Sequence, residues 1–105
     1  MEQFLYRLHP VRVAMLADGP TEQEAQVIAA HFAYLQNLVE EGKVLMAGRT
    51  LTQDEESCGI VVLEVDSESS AREVSDNDPA VKNHVMRADL FPYRVALWSK
   101  TGPSQ

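Results

Sequence analysis

The sequence contains one cysteine, few cations and no long apolar run, and each shortage excludes a class of protein. With Cys58 as the only cysteine, neither an internal disulfide nor a cysteine-based zinc site can form. The nine Lys and Arg residues are scattered among sixteen Asp and Glu residues, and the formal net charge of -7 would repel nucleic acid. Apolar runs such as Ile60 to Leu63 are far shorter than the roughly 20 residues that span a membrane.

Motifs that bind phosphates, metals or cofactors are also missing. The sequence has no Gly-rich phosphate loop and no Gly-x-Ser-x-Gly motif. Its histidines, His9, His31 and His84, are dispersed, with no pair at metal-ligand spacing. We therefore expect no metal and no cofactor. The first three residues lack the basic start of a signal peptide, so we expect a cytoplasmic protein.

What remains has the composition of one folded domain. A chain of 105 residues is too short for two independent cores, and 45% hydrophobic with 24% charged residues is close to the globular average. We expect a single domain over residues 1–100 and a disordered tail over residues 101–105.

The residue pattern predicts alternating strands and helices. Thr21 and Glu24 form a capping-box pattern that begins a long helix, and Gly42 is suited to end it. A second helix is predicted after Ser67, ending where Asn77 to Pro79 breaks it before a short turn or helix. The predicted strands cover Gln3 to Met15, which Pro10 either bends or leaves at a sheet edge, Lys43 to Ala47, Gly59 to Val65, Val85 to Leu90 and Tyr93 to Trp98. The order β-α-β-β-α-β is typical of the α+β ferredoxin-like sandwich with an antiparallel sheet.

The predicted strand Gly59 to Val65 is apolar on both of its faces. Two helices can cover only one face of a sheet, so the other face needs a second cover. In so short a chain a second copy is the economical cover, and we expect a homodimer.

Several segments in both halves of the chain form a set. In the first half of the chain these are His31 to Leu38, Glu41-Gly42 and Ala47 to Thr50. In the second half they are Gly59 to Glu64, Asn77 to Val81 and Phe91 to Ala96. Together these segments resemble the YCII-related domain family. The matches extend from about Phe4 to Trp98 and follow the order of the family. No single segment is specific, but the set is.

The resemblance implies a dimeric α/β barrel, in which two ferredoxin-like sheets pack face to face. It also implies a paired His and Asp in a pocket, carried here by His31 and Asp78. The implied substrates are small cyclic organic molecules, since a relative dehydrochlorinates a chlorinated hydroxyhydroquinone. The sequence departs from the family pattern at Arg49, Cys58 and His84, and these positions leave the pocket lining open.

The residues themselves leave two interpretations of the candidate dyad. His31 lies in the apolar stripe of the long helix, as a structural histidine or as a general base oriented by a carboxylate. Asp78 precedes Pro79 and is either a helix cap on the amides of Ala80 or Val81, or the partner of His31, or both. A separation of about 3.2 Å or less would support the dyad.

Three further residues are candidates for substrate binding. Arg49 follows Gly48 at the end of a predicted strand, where it would hold an anionic group or instead pair with an acid of residues 54–56. Tyr6 and Tyr93 are core or interface aromatics whose hydroxyls could reach a pocket.

Two functions follow from these residues. The first is a cofactor-independent enzyme in which His31, oriented by Asp78, moves a proton in an isomerisation, elimination or dehydrochlorination of a small cyclic or carbonyl compound. The second is a non-catalytic dimeric module that binds a small molecule or a protein. A pocket that reaches His31 would favour the enzyme.

Overall fold

In the computed structural model, which describes residues 1–104, four antiparallel strands form one sheet in the order β2-β3-β1-β4. The strands are β1 (Glu2–Pro10), β2 (Val44–Arg49), β3 (Gly59–Val65) and β4 (Met86–Pro92). The helices are α1 (Ala14–Asp18), α2 (Glu22–Glu40), α3 (Glu68–Asn77) and α4 (Pro79–Lys82). This α+β arrangement has the strand order of the ferredoxin-like fold, as the sequence predicts. Gln105, the last residue of the predicted tail, lies outside the described residues.

Helix α2 begins and ends where the sequence predicts. The Thr21 side chain accepts from the Glu24 amide, and the Glu24 carboxylate accepts from the Thr21 amide, so the capping box is complete. Gly42 has a φ of 79°, the left-handed conformation that glycine adopts at low cost after a helix. The predicted apolar stripe faces the sheet, and Leu35 and Leu38 are buried there.

The core lies between the helices and one face of the sheet. Phe4, Tyr6 and Leu8 of β1 alternate toward this face, and all three are buried. Tyr6 pairs in register with Val61 of β3 and with Leu90 of β4. Its side chain is therefore held at the centre of the sheet, beneath the helices.

Residues of α2, α3 and α4 pack in the core on that one face, so none of these three helices covers the opposite face of the sheet. Leu5 pairs with Val62 on this face, and Val62 is buried even within the single chain. Met46 and Phe91, on flanking strands, remain 45% and 40% exposed. This face, which we call the open face, thus has apolar side chains that are only partly covered. It also carries polar ones, since Arg7 lies opposite Ile60 and pairs with Asp89 at 3.9 Å.

The predicted first strand is too long. β1 ends at Pro10, although the Val11 amide still donates to the Val85 carbonyl at 2.9 Å, and a bend at residues 11–13 then leads into α1. Met15, predicted in that strand, lies in α1 and is buried there. Arg12 fixes this segment to the start of α2, since its guanidinium binds both oxygens of Glu24, at 2.6 and 3.0 Å.

The predicted strand Tyr93 to Trp98 is also wrong. The ladder between β4 and β1 ends with Pro92 opposite Phe4, and the Tyr93 amide then donates to the Gln3 carbonyl at 3.1 Å. Because β1 itself begins at Glu2, the residues after Tyr93 have no neighbouring strand with which to pair. The bounds of two other strands differ slightly. β2 is Val44–Arg49 where the prediction is residues 43–47, and β4 is Met86–Pro92 where the prediction is residues 85–90.

Across residues 1–104, no helix has both the length and the apolar character needed to cross a membrane.

Candidate active site

Asp78 occupies the junction between α3 and α4 and is fully buried. Its backbone is extended, as expected for a residue before proline, and Pro79 begins α4. The Asp78 side chain caps that helix, because Oδ1 accepts from the Ala80 amide at 2.9 Å. The capping alternative that the sequence suggests is therefore present.

The same oxygen also contacts His31. Nδ1 of His31 lies 2.6 Å from Oδ1 of Asp78, well within the separation expected for a dyad. His31 comes from the middle of α2, and α4 packs against α2, which brings the two side chains together. Asp78 thus serves both as a helix cap and as the neighbour of His31.

Tyr6 binds the second oxygen of Asp78. Its hydroxyl donates to Oδ2 at 2.8 Å, and the tyrosine is fully buried. Burial, reinforced by the neighbouring Asp78, raises the pKa of Tyr6 well above its ordinary value, so the hydroxyl stays protonated and remains a donor. Two donors of fixed direction therefore hold the Asp78 side chain, the Ala80 amide at Oδ1 and the Tyr6 hydroxyl at Oδ2, so both of its oxygens act as acceptors.

This geometry assigns the protons of the imidazole. A carboxylate only accepts, so the hydrogen bond to Asp78 places a proton on Nδ1 of His31 and leaves a lone pair on Nε2 in the neutral ring. Nε2 has no hydrogen-bond partner in residues 1–104. Every buried side-chain polar atom in this range does have a partner, so Nε2 is not a buried atom. Nε2 must therefore reach the surface, and the His31 side chain is 15% exposed. In this arrangement Nε2 of His31 can accept a proton from the solvent side, while Nδ1, on the other side of the ring, is held by the Asp78 carboxylate.

Tyr34 lies beside this group on α2 but is bound elsewhere. Its hydroxyl donates to the Val74 carbonyl of α3 at 2.8 Å. Burial and the nearby charge of Asp78 raise the pKa of Tyr34 to about 12. Tyr34 therefore ties α2 to α3 without a hydrogen bond to the dyad.

The other two candidate residues are not brought to the dyad. Arg49 is exposed at the end of β2, and it pairs with Gly59, which in turn pairs with Leu8 of β1. It forms no ion pair with an acid of residues 1–104, so the pairing with residues 54–56 is absent from that range. Tyr93 is 47% exposed and follows β4, at the end of the sheet where Gln3 lies.

Two surface cavities lie on the molecule, and the first is lined by Tyr34, one helical turn from His31, and by Asn77, which precedes Asp78. This cavity, of about 340 Å³, is between α2, α3 and the end of β3, and Lys43 and Glu73 are also among its lining residues. The other, of about 380 Å³, is lined by Tyr93 and its neighbours and by the start of β1. Neither cavity is lined by His31 or Asp78.

No group of three potential metal ligands converges within residues 1–104. Cys58 is half-buried just before β3, where it acts as a small apolar residue.

The fold and the buried His-Asp contact define a ferredoxin-like domain with a candidate acid-base pair. The YCII-related domain model matches residues 8–94, and the protein therefore belongs to the YCII-related domain family. No curated protein sequence matches the chain.

Two solved structures share the fold. One is 5-chloro-2-hydroxyhydroquinone dehydrochlorinase from Burkholderia phenoliruptrix AC1100 in complex with 2,5-dihydroxybenzoquinone. It has a TM-score of 0.66 and 22% sequence identity, over 88% of this chain and 93% of that chain. The other is an uncharacterised protein from Thermotoga maritima, with a TM-score of 0.54 and 15% identity, over 88% and 95% of the two chains. At these identities the likeness concerns the fold.

Proposed function

We propose that the protein is a cofactor-independent enzyme in which His31 is the general base and Asp78 its orienting acid. The observation that carries the proposal is the 2.6 Å contact between Nδ1 and Oδ1, combined with an Nε2 that faces solvent. A base whose second nitrogen is held by a carboxylate has one tautomer, and the negative charge stabilises the imidazolium that forms when Nε2 accepts a proton.

The proposed reaction is a proton transfer within a small cyclic or carbonyl compound, giving isomerisation, elimination or dehydrochlorination. In the dehydrochlorination, the carbon that bears chlorine first gains the proton of the neighbouring hydroxyl, which becomes a carbonyl. Nε2 then takes the proton of a second hydroxyl, and the electrons of that O–H bond move through the ring to form the second carbonyl. Chloride leaves with the electron pair of its own bond, so the net change is loss of HCl and needs no oxidant. The fold shared with the dehydrochlorinase of Burkholderia phenoliruptrix AC1100 supports this substrate class.

Arg49 is the proposed contact for an anionic group of the substrate. It is exposed and has no acid partner in residues 1–104, so its charge is available to a phenolate or carboxylate. Tyr93 is proposed as a separate contact, since it is exposed and lines a cavity at the end of the sheet opposite to Arg49.

We further propose that the protein works in the cytoplasm as a homodimer joined through the open face. The apolar side chains of that face include Leu5, Ile60 and Phe91, and burying them against a second copy would remove them from water.

The second candidate function is a non-catalytic dimeric module that binds a small molecule or a protein. One observation favours it: neither cavity is lined by His31. In that case the His31–Asp78 contact would join α2 to α4 and serve stability alone.

The test uses 5-chloro-2-hydroxyhydroquinone and measures chloride release by the wild-type protein and by His31→Asn. The enzyme requires release by the wild type and a loss of at least about a hundredfold in the variant, with the fold retained. His84→Asn is the matched control, because it makes the same change at an exposed residue with a φ of 59°, a conformation that asparagine tolerates. Equal turnover by wild type and His31→Asn would exclude the base role.

A further inference from the structure

We infer that Tyr6 is a positioning residue, one that fixes the Asp78 carboxylate and through it selects the tautomer of His31. This inference rests on the proposed function, since it assigns a role within the same site. It differs from a substrate-binding role, because a fully buried side chain cannot contact a ligand in solvent.

The two oxygens of Asp78 accept hydrogen bonds from different donors. Oδ1 accepts from His31 Nδ1 and from the Ala80 amide, at 2.6 and 2.9 Å. Oδ2 accepts from the Tyr6 hydroxyl at 2.8 Å, which is the one hydrogen bond to that oxygen from residues 1–104. Removal of the Tyr6 hydroxyl would therefore leave Oδ2 without a hydrogen-bond donor from residues 1–104.

A carboxylate without a donor on Oδ2 would bury an unpaired charge-bearing oxygen, which is costly. The side chain would relieve this cost by rotating until Oδ2 shared the His31 or Ala80 proton. Either rotation weakens the hydrogen bond to Nδ1, and the ring then also populates the form with its proton on Nε2. That form cannot accept a proton at Nε2.

The position of Tyr6 is itself rigid, which suits this role. Its backbone pairs on both sides, with Val61 and with Leu90, so the hydroxyl is delivered from the centre of the sheet. Its protonated state is also secure, because burial holds the pKa of Tyr6 well above its ordinary value. The sheet, α2 and the α3–α4 junction therefore meet at a single carboxylate.

The experiment records the imidazole nitrogens of His31 by 15N NMR in the wild type, Tyr6→Phe and Tyr34→Phe. Tyr34→Phe is the matched control, since it also removes a hydroxyl with a 2.8 Å hydrogen bond, but one directed at the Val74 carbonyl. We expect the wild type and Tyr34→Phe to show the neutral ring with its proton on Nδ1. Tyr6→Phe should show a mixture of the two tautomers and a kcat reduced roughly tenfold, with little change in KM.

A second variant covers the case in which Tyr6→Phe does not fold. 3-Fluorotyrosine in place of Tyr6 keeps the hydroxyl and makes it a stronger donor, so the resonance of the proton on His31 Nδ1 should shift. A single wild-type tautomer in Tyr6→Phe, equal effects of the two Phe variants, or an unmoved Nδ1 proton with 3-fluorotyrosine would overturn the inference. The ring spectra decide this point whether or not the wild type releases chloride, so the positioning role and the proposed function fail separately.

Discussion

His31 and Asp78 are 47 positions apart in the sequence, and their side chains meet at 2.6 Å between Nδ1 and Oδ1. The oxygen that receives Nδ1 also caps α4 through the Ala80 amide. Under the proposed function, a change at Asp78 would therefore alter both turnover and stability, and the experiments must separate the two effects.

Asp78→Asn separates charge from geometry. The amide oxygen should take the place of Oδ1, because both His31 Nδ1 and the Ala80 amide need an acceptor there. The tautomer of His31 is then kept while the charge that stabilises the imidazolium is lost. We expect chloride release to fall by roughly a hundredfold or more, with the Nδ1-protonated ring still seen by 15N NMR.

The same variant should also lower stability. The amide nitrogen replaces Oδ2 and faces the Tyr6 hydroxyl, so one buried proton loses its acceptor, at a cost of about 1–3 kcal/mol. Urea unfolding measures this cost. An Asp78→Asn protein with unchanged turnover would show that the charge of Asp78 is not used, even if its stability falls as expected.

Stability should decrease at alkaline pH because of the two tyrosines near Asp78. The pKa of Tyr34 is raised to about 12 in the folded protein, from 10.0 in the unfolded chain. Above pH 10 the unfolded state loses a proton that the folded state keeps, so the free energy of unfolding falls until about pH 12. The pKa of Tyr6 is raised in the same direction and extends the decline.

Urea unfolding at several values between pH 9 and pH 12 measures this decline. Tyr34→Phe should reduce its slope, because a group that titrates differently in the two states has been removed. An equally steep decline in Tyr34→Phe would assign the alkaline effect to other groups.

Local elements and long-range strand pairing differ in how far the sequence could predict them. The bounds of β3 and the caps of α2 depend on neighbouring residues, Gly59 to Val65 and the pair Thr21 and Glu24, so local pattern sufficed. The end of pairing after Tyr93 depends on where β1 begins, some 90 residues earlier, and no local pattern contains that information.

The candidate site shows the same difference between local contacts, which the sequence predicts, and long-range contacts, which it does not. The cap formed by Asp78 is local and could be expected from Pro79, whereas the pairing with His31 came from the family resemblance. The role of Tyr6 could not be assigned from the sequence. Alternation along β1 predicts that Tyr6 faces the core, but its approach to Asp78 depends on how the α3–α4 junction packs over the sheet.

Acid should lower the stability of the protein by weakening the contact between Arg12, in the segment before α2, and Glu24. The Arg12 guanidinium, with a smaller contribution from the Thr21 amide, lowers the pKa of Glu24 to about 2 from its ordinary 4.5. A lowered carboxyl pKa stabilises the folded state above pH 4.5, and that contribution is lost as the pH falls toward 2. Glu24→Gln should flatten the decline between these values, and the capping box should survive because glutamine also suits that position.

The control for this variant is Glu68→Gln, at the first residue of α3, where the carboxylate pairs with Arg72 at 3.3 Å in an exposed i,i+4 contact. Its removal should leave the acid limb of the stability profile nearly unchanged, because exposed pairs of this kind contribute little. A Glu24→Gln profile as steep as that of the wild type would contradict the assignment to the Arg12 pair.

The open face provides the test of assembly. We expect light scattering to give twice the 11.7 kDa mass of one chain at micromolar concentration, and Ile60→Arg to give a monomer. Ile60 shares the open face with Leu5 and Phe91, and a charge placed there would have to be buried against a second copy. Phe32→Arg, on α2 and 67% exposed, is the matched control and should stay dimeric. If Ile60→Arg and Phe32→Arg both remain dimers, the two copies meet elsewhere; a wild-type monomer would leave the open face in water and remove the face-to-face barrel.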